Sequence, residues 1–443
     1  MACGSANEPV DHVRPLMSQV PAHTIIGALI FVVTIGLIMV RPRQVTEAIA
    51  AATGALLMIL GGFVGIGETG RLLLDQWNVF GFFLGLMTIS ALADQAGVFE
   101  VLTNRIARWS KGSTLRLYLA VFLIGTLITA ILSNDATALI LTPVVYVLVT
   151  RLRLSPLPFL FACTFIADTA SFLLPVSNPI NILVINVFGG GLGTFLRFLL
   201  LPSLFCIGMN IGLFVWLFRR DLKQRYDLAD LPQIEPTHPA YLRFAFGSLM
   251  AIAVAYVLAS ALHAPLSLVS LAGSGLLLVG ALRHHCLDWN KLRREISWSL
   301  FIFIGGMFLV VRAIENLGLT EAFGKAILHF AGDSPFRATL LTAGGTALGS
   351  NLVNNVPMAL IMISALSAMQ SAGGGHIGLV YAVILGADLG PNLTTVGSLA
   401  TMLWLLALRR RGVDISTVEY FKLGITVVPV MIIVASVLLW LQL

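Results

Sequence analysis

From residue 24 to the last residue the chain is a succession of apolar stretches, each near the ~20 residues a helix needs to cross ~30 Å of hydrocarbon. Few folds can hold such a chain. With 58% hydrophobic and 11% charged residues, against about 25% charged in an ordinary soluble protein, it cannot be a set of soluble domains. A transmembrane β-barrel would show ~10-residue alternating segments, and none are visible. The fold class is therefore an all-α polytopic membrane protein.

The net charge of +6 does not call for a nucleic-acid partner, because Lys and Arg of membrane proteins collect in cytoplasmic loops. Cys3, Cys163, Cys206 and Cys286 lie far apart, with no CxxC pair and no His-bearing metal spacing, so neither a disulfide framework nor a metal site is expected. No cofactor is expected either. The first twenty residues carry Glu8, Asp11 and Arg14 but no apolar core, so the first span is expected to target the chain.

Slid against itself by 220 positions, the sequence coincides where it is least ordinary. Gly125-Thr126 meets Gly345-Thr346, Asn134 meets Asn354, Ala167-Asp168 meets Ala387-Asp388, and Val176 meets Val396. Leucines would match by chance, but paired Asn and Asp at one fixed offset would not, so the chain is read as a duplication. The expected organisation is a polar segment 1–21, a first repeat 22–218, a cytoplasmic linker 219–240 and a second repeat 241–443. Scaffold and transport parts are interleaved from both repeats.

The first copy is predicted to hold spans near 24–40, 46–64 and 79–97, a basic amphipathic stretch 99–115, an interrupted pair 116–150, a broken span 157–188 and a last span 196–217. The second copy repeats this order. If each interrupted pair is a re-entrant hairpin, each copy crosses the membrane an odd number of times and the two are inverted. About ten transmembrane helices then accompany two hairpins and two broken helices. This arrangement gathers Arg41, Arg43, Arg105, Arg108, Lys111, Arg151, Arg153, Arg219, Arg220 and the run Arg409-Arg410-Arg411 on one face, which is cytoplasmic. The opposite face keeps only Arg14, Arg71, Arg197, Arg312, Lys325 and Arg337.

Inverted repeats with interrupted helices mark secondary transporters, whose sites lie near the bilayer midplane. No GxxxxGK[ST] loop is present, so the chain is not expected to hydrolyse ATP or to be an enzyme. Four polar islands break the apolar background: Ser133-Asn134-Asp135, the run from Asp168 through Ser177-Asn178 to Asn181, Asn351 through Asn354-Asn355, and Asp388 through Thr394-Thr395 to Ser398. At the 220 offset the first pairs with the third and the second with the fourth, so hairpin tips and helix breaks should meet around one axis. Asp135, Asp168 and Asp388 are candidates for proton coupling, since carboxylates at membrane depth are expensive and mark ion or proton paths. Asp135 stands where the second copy has neutral Asn355, which leaves one tip able to titrate. Asn134, Asn178, Asn354, Asn355, Ser177, Thr394, Thr395 and Ser398 are candidates for binding substrate, through amides and hydroxyls that can also coordinate Na⁺ or satisfy freed backbone. Cys163 could ligate a soft metalloid, although a lone buried cysteine is more often packing. Glu315 beside Arg312, and Asp94 at its span end, are expected to pair locally.

These islands resemble the ArsB-type arsenite/antimonite efflux permeases of the ion transporter superfamily. The stretches that carry the resemblance are 133–143, 165–171 and Val176-Ser177-Asn178 with Asn181, then Asn354-Asn355-Val356-Pro357, 386–391 and 397–401. The likeness runs over most of the chain from residue 22 on. It implies export of trivalent arsenic and antimony hydroxide from the cytoplasm in exchange for protons, by an elevator-like mobile unit in the bacterial inner membrane. It also implies a possible ArsA-type ATPase on the cytoplasmic face. Arsenite near neutral pH is mainly the uncharged triol As(OH)₃, and the absence of Arg from the islands suits a neutral solute better than a carboxylate anion. The alternative is a Na⁺/H⁺ antiporter or another ion transporter of the same superfamily, which the same islands would also serve.

Overall fold

The computed structural model describes residues 22–40, 46–231, 238–262, 264–320, 334–371, 377–409 and 411–443, with Ala322, Ala326, His329 and Phe330. The polar segment 1–21 with Arg14, and Arg41, Arg43, Lys325 and Arg410, lie outside the described residues. The described chain is almost wholly helical, with a single isolated bridge between Ser113 and Arg225.

The membrane-crossing and hairpin elements of the first half have counterparts in the second. Continuous helices Ala22–Val40, Glu47–Leu60, Trp77–Gln95 and Leu192–Leu217 correspond to Pro239–Ala261, Leu266–Arg283, Trp298–Asn316 and Thr417–Trp440. Helices Thr114–Ile131 and Thr142–Arg151 flank one hairpin tip, and Pro335–Val353 and Asn355–Ser371 flank the other. The broken spans run Pro156–Thr169 into Pro179–Phe188, and Ile377–Leu389 into Leu399–Arg409. Four continuous helices and one broken helix per copy make ten crossings among the described residues.

The two copies interlock rather than sit side by side. Helix 77–95 packs along 266–283, and 298–316 along 47–60, so each copy covers the other with the same pair of elements. Small residues permit both contacts: a Cβ on Gly85 would lie 2.4 Å from the Ser270 backbone, and one on Gly306 would lie 2.8 Å from that of Ala51. Without a hydrophobic drive between helices in lipid, such close backbone approach is the main source of attraction. A second core is aromatic. Phe165 lies 4.7 Å from Phe214 and 5.3 Å from Tyr420 between ring centroids, tying the first broken helix to 192–217 and 417–440.

Contacts between helix ends establish the inversion. At one end, Lys291 Nζ lies 2.6 Å from Asp94 Oδ2, Asp288 and Gln95 exchange hydrogen bonds, and Tyr226 N–H donates to Gly112 O over 3.1 Å. At the other, Arg312 joins Glu68 at 2.7 Å and Glu315 at 3.0 Å, Asn316 reaches Phe63 O, and Gln442 reaches Phe198 O. Arg151 lines a cavity of about 190 Å³ with Glu100, Thr103 and Arg411, so the first hairpin returns to the side from which it entered. Pro335 likewise lines a cavity of about 280 Å³ with Leu379 and Trp440, so the second hairpin returns to the opposite side. The end carrying Arg105, Arg151, Arg219, Arg293 and Arg411 is the more basic one, the bias that marks cytoplasmic faces.

Sequence periodicity misses two features. A short amphipathic helix, Ile66–Asp75, lies between the second and third spans with Ile66 and Leu74 largely exposed. The return arm of the first hairpin starts with a π turn over Thr137–Leu141. Pro143 follows at once; proline has no N–H and its ring collides with the carbonyl four residues back, so a widened turn accommodates it. In the second hairpin Pro357 falls in the first helical turn, where no N–H partner is needed, and helix 355–371 runs on unbroken.

Candidate functional site

Each break in the apolar helices frees backbone groups that polar side chains must satisfy. Ser133 is fully extended, at φ −176°, and its Oγ accepts the Ala136 N–H over 3.1 Å, which starts the return arm of the first hairpin. In the first broken helix Asn181 Nδ2 donates to Ser171 O at 2.8 Å and to Leu174 O at 3.3 Å. Asn178 Oδ1 caps helix 179–188 by accepting the Ile180 N–H at 3.1 Å. In the second break Ser398 Oγ accepts the Thr401 N–H at 3.0 Å, and Asn392 Nδ2 crosses to Phe165 O at 3.1 Å.

With the backbone satisfied, the remaining polar atoms converge across the two copies. Asn178 Nδ2 donates to Asp388 Oδ1 over 2.6 Å, and Ser398 Oγ donates to Asp168 Oδ2 over 3.2 Å. Asn178 and Ser398 are repeat counterparts, as are Asp168 and Asp388, so each copy's second half-helix holds the other copy's aspartate. Thr401 Oγ1 adds a bond to Asp168 at 3.3 Å, and Asn134 Nδ2 approaches its other oxygen at 3.5 Å. Asp388 Oδ2 is buried without a partner among the described residues. Both aspartates are 1% exposed, and no Lys or Arg reaches either within ion-pairing distance among the described residues. Two carboxyl groups without a cationic partner at this depth cost several kcal/mol.

The other candidates divide. Asp135 sits at the first tip, partly exposed, with its N–H on Asn134 Oδ1 at 3.0 Å and no side-chain hydrogen bond among the described residues. Asn354 Nδ2 donates to Val396 O at 3.2 Å and the Asn355 N–H to Gly397 O at 2.9 Å, which stitches the second tip to the second break. Thr394 Oγ1 donates to Asn351 Oδ1 at 2.7 Å, and Ser177 Oγ to Ala130 O at 3.3 Å, so both face protein rather than open space. Thr395 is buried beside them, and Cys163 is fully buried on helix 156–169, which also carries Asp168. Thr401, Asn181, Asn392 and Asn210, whose Nδ2 lies 2.8 Å from Thr169 Oγ1, belong to the same network. Thr401 and Asn181 occupy equivalent repeat positions and were detectable in sequence; Asn210 lies in an unbroken apolar helix and gave no signal.

Among the described residues the site thus offers hydroxyls, amides and carboxyl groups, with no Lys or Arg and hence no guanidinium fork of the kind that binds carboxylate anions.

The model of the ArsB family, arsenical pump membrane protein, matches residues 26–442. The arsenical pump membrane protein of Escherichia coli K12 is 34% identical over 94% of this chain and 98% of its own length, and that of Yersinia enterocolitica 32% over the same shares. A 46 kDa membrane protein of Mycobacterium leprae is 28% identical over 95% and 99%. Among solved structures, the YdaH transporter of Alcanivorax borkumensis superposes with a TM-score of 0.59 over 95% of this chain and 98% of its own, at 15% identity. MtrF of Neisseria gonorrhoeae follows at 0.55 over 96% and 95%, at 12% identity. At such identities the two structures share the fold alone, whereas the sequence matches span the polar islands and nearly every crossing. The chain belongs to the ArsB family of arsenical pump membrane proteins, multi-pass transporters of the bacterial inner membrane.

Proposed function

We propose that the chain exports trivalent arsenic, and antimony in the same form, from the cytoplasm in exchange for protons. The observation that carries this reading is the crossed pair of buried aspartates, each held by the opposite repeat in a site without a cation. As(OH)₃ is neutral, donates three hydrogen bonds and needs no counter-charge, so amides, hydroxyls and carboxyl oxygens answer it. Asn134, Asn178, Asn354, Asn355, Ser177, Thr394, Thr395 and Ser398 supply the polar lining, directly or by holding the breaks open. Asp135, Asp168 and Asp388 take up and release the coupling proton.

The hairpins and broken helices form the mobile unit, and the interlocked spans 47–60, 77–95, 266–283 and 298–316 form its scaffold. Movement of the first against the second would be elevator-like alternating access, with repeat boundaries near residues 22–218 and 241–443. A separate ArsA-type ATPase would dock on the cytoplasmic face.

Cells lacking their own efflux system should gain arsenite resistance and accumulate less arsenite when they express this chain. Everted vesicles then test the coupling: arsenite should collapse a pre-formed pH gradient, and Asp135→Asn should abolish that collapse while the protein still inserts. A gradient collapsed by Na⁺ with no response to arsenite would establish the Na⁺/H⁺ antiporter instead.

A further inference from the structure

The helix Val98–Trp109 joins scaffold span 77–95 to the first hairpin, and the site uses none of its residues. It buries Val98, Phe99, Thr103, Asn104 and Ala107 and turns Arg105, Arg108 and Trp109 outward. Trp109 is 73% exposed, and Lys111, held at φ +48°, and Arg116 extend the same exposed surface. The linker is sewn beneath it: the Tyr226 hydroxyl donates to Ala107 O over 2.6 Å, and Arg225 bridges Ser113. None of Arg105, Arg108, Lys111 and Arg116 has a carboxylate within ion-pairing distance among the described residues. Glu100, the acid of this helix, lines the separate cavity shared with Arg151 and Arg411.

The second repeat contains an internal control at the opposite membrane face. Ser113 and Ser334 cap equivalent helices, each accepting the N–H of an arginine three residues on, over 3.4 Å. In that register Trp109 corresponds to Phe330, which is 75% exposed. Both copies therefore present a large exposed aromatic at this position, and Trp is a ring that settles at the membrane–water boundary. Most of the charges differ. Arg105, Arg108 and Lys111 of the cytoplasmic copy correspond to Ala326, His329 and Gly332 of the outer one, whereas Arg116 keeps its counterpart in Arg337 and Lys325 stands against Asn104. The aromatic and one arginine follow from the fold, and the additional cations follow from the leaflet the cytoplasmic copy meets.

We propose that the 98–116 corner is a binding surface for anionic phospholipid headgroups of the cytoplasmic leaflet, with Trp109 inserted among the chains and Arg105, Arg108, Lys111 and Arg116 on the phosphates. Headgroup phosphate is the chemistry these cations recognise, and the inserted ring requires a bilayer rather than dissolved phosphate. Because the corner is the joint between scaffold and first hairpin, lipid held there fixes the pivot against which the hairpin moves.

The test uses the purified full chain in phosphatidylcholine vesicles with and without phosphatidylglycerol. Trp109 fluorescence, isolated by difference from W109F, should be quenched more strongly by brominated phosphatidylglycerol than by brominated phosphatidylcholine, and less so at high salt. Arsenite flux should be several-fold faster in the anionic vesicles, and R105Q/R108Q/K111Q should lose that advantage while matching wild type in neutral ones. Inorganic phosphate added to neutral vesicles should not restore the rate. Equal quenching by the two brominated lipids overturns the proposal, whatever the transported solute proves to be. So does a triple variant that keeps the phosphatidylglycerol response, or rescue by inorganic phosphate, which would mark a soluble anion site.

Discussion

The two hairpin tips descend from one sequence unit and are held in opposite ways. The second is welded to its broken helix: Asn354 and Asn355 bond the backbone at Val396 and Gly397, Thr394 bonds Asn351, and Asn351 Nδ2 reaches Gly390 O at 2.7 Å. Glycines let the backbones touch, since a Cβ on Gly386 would lie 2.3 Å from Ala343 O and one on Gly390 2.4 Å from Ala347 Cα. At the first tip the equivalent loop is held by Ser177 on Ala130 O, Asn134 makes a long contact to Asp168, and a π turn follows. Its own tight spot, Gly125, faces side chains and no backbone: Ile166 Cγ2 at 2.6 Å, with Thr137 at 3.6 Å and Leu141 at 3.8 Å. The titratable residue of the pair, Asp135, stands on the loosely held tip, and neutral Asn355 on the welded one. The duplicated unit has thus diverged into a loosely held tip that carries an acid and a tightly tied tip that carries an amide.

Breaking the weld should have the largest effect. Gly386→Ala would already drive its Cβ into backbone that cannot yield and should cost about 3 kcal/mol, read as loss of monodisperse protein or of thermal stability in detergent. Gly125→Ala, meeting a side-chain methyl rather than backbone, should cost about 1–2 kcal/mol. Equal losses would refute the contrast. Next comes a swap of charge: Asn355→Asp places a carboxylate in the 3% exposed welded tip and should destabilise by about 2–3 kcal/mol, whereas Asp135→Asn should leave the melting temperature unchanged.

Strain sharpens the comparison further. Asn354 sits at φ +73°, ψ +155°, a region almost confined to glycine, whereas Asn134 is helical. Asn354→Gly should melt no lower than wild type because relief of strain offsets the lost bond to Val396, while Asn354→Ala should lose about 1 kcal/mol. The smallest effect lies outside both tips. The hydrogen bond from Arg312 holds the half-buried Glu68 carboxyl below its ordinary value of 4.5. A lowered folded value stabilises the protein above that pH and ceases to do so as pH falls through it, so the contribution fades below about pH 4.5. For a partly exposed pair it is worth about 0–1 kcal/mol. Melting of Arg312→Gln should therefore differ slightly from wild type at pH 7 and converge with it in acid.

Much of this was legible in the chain itself. Membrane residence, the duplication, the hairpins and the inversion follow from apolar length, a fixed offset and the side on which Arg and Lys collect, because hydrocarbon tolerates only satisfied backbone and few charges. The islands were legible for the same reason, since a polar residue at depth has few inert explanations. The pairings were not. Nothing in the spacing says that Asn178 holds Asp388 while Ser398 holds Asp168, or that Ser177 and Thr394 turn to protein, because these depend on how two copies cross in space. The inequality of the tips was half legible, as Asp135 against Asn355. Its mechanical side, the π turn forced beside Pro143 and the glycine contacts beneath Asn354, arose only when side-chain volume and hydrogen-bond reach were resolved in three dimensions.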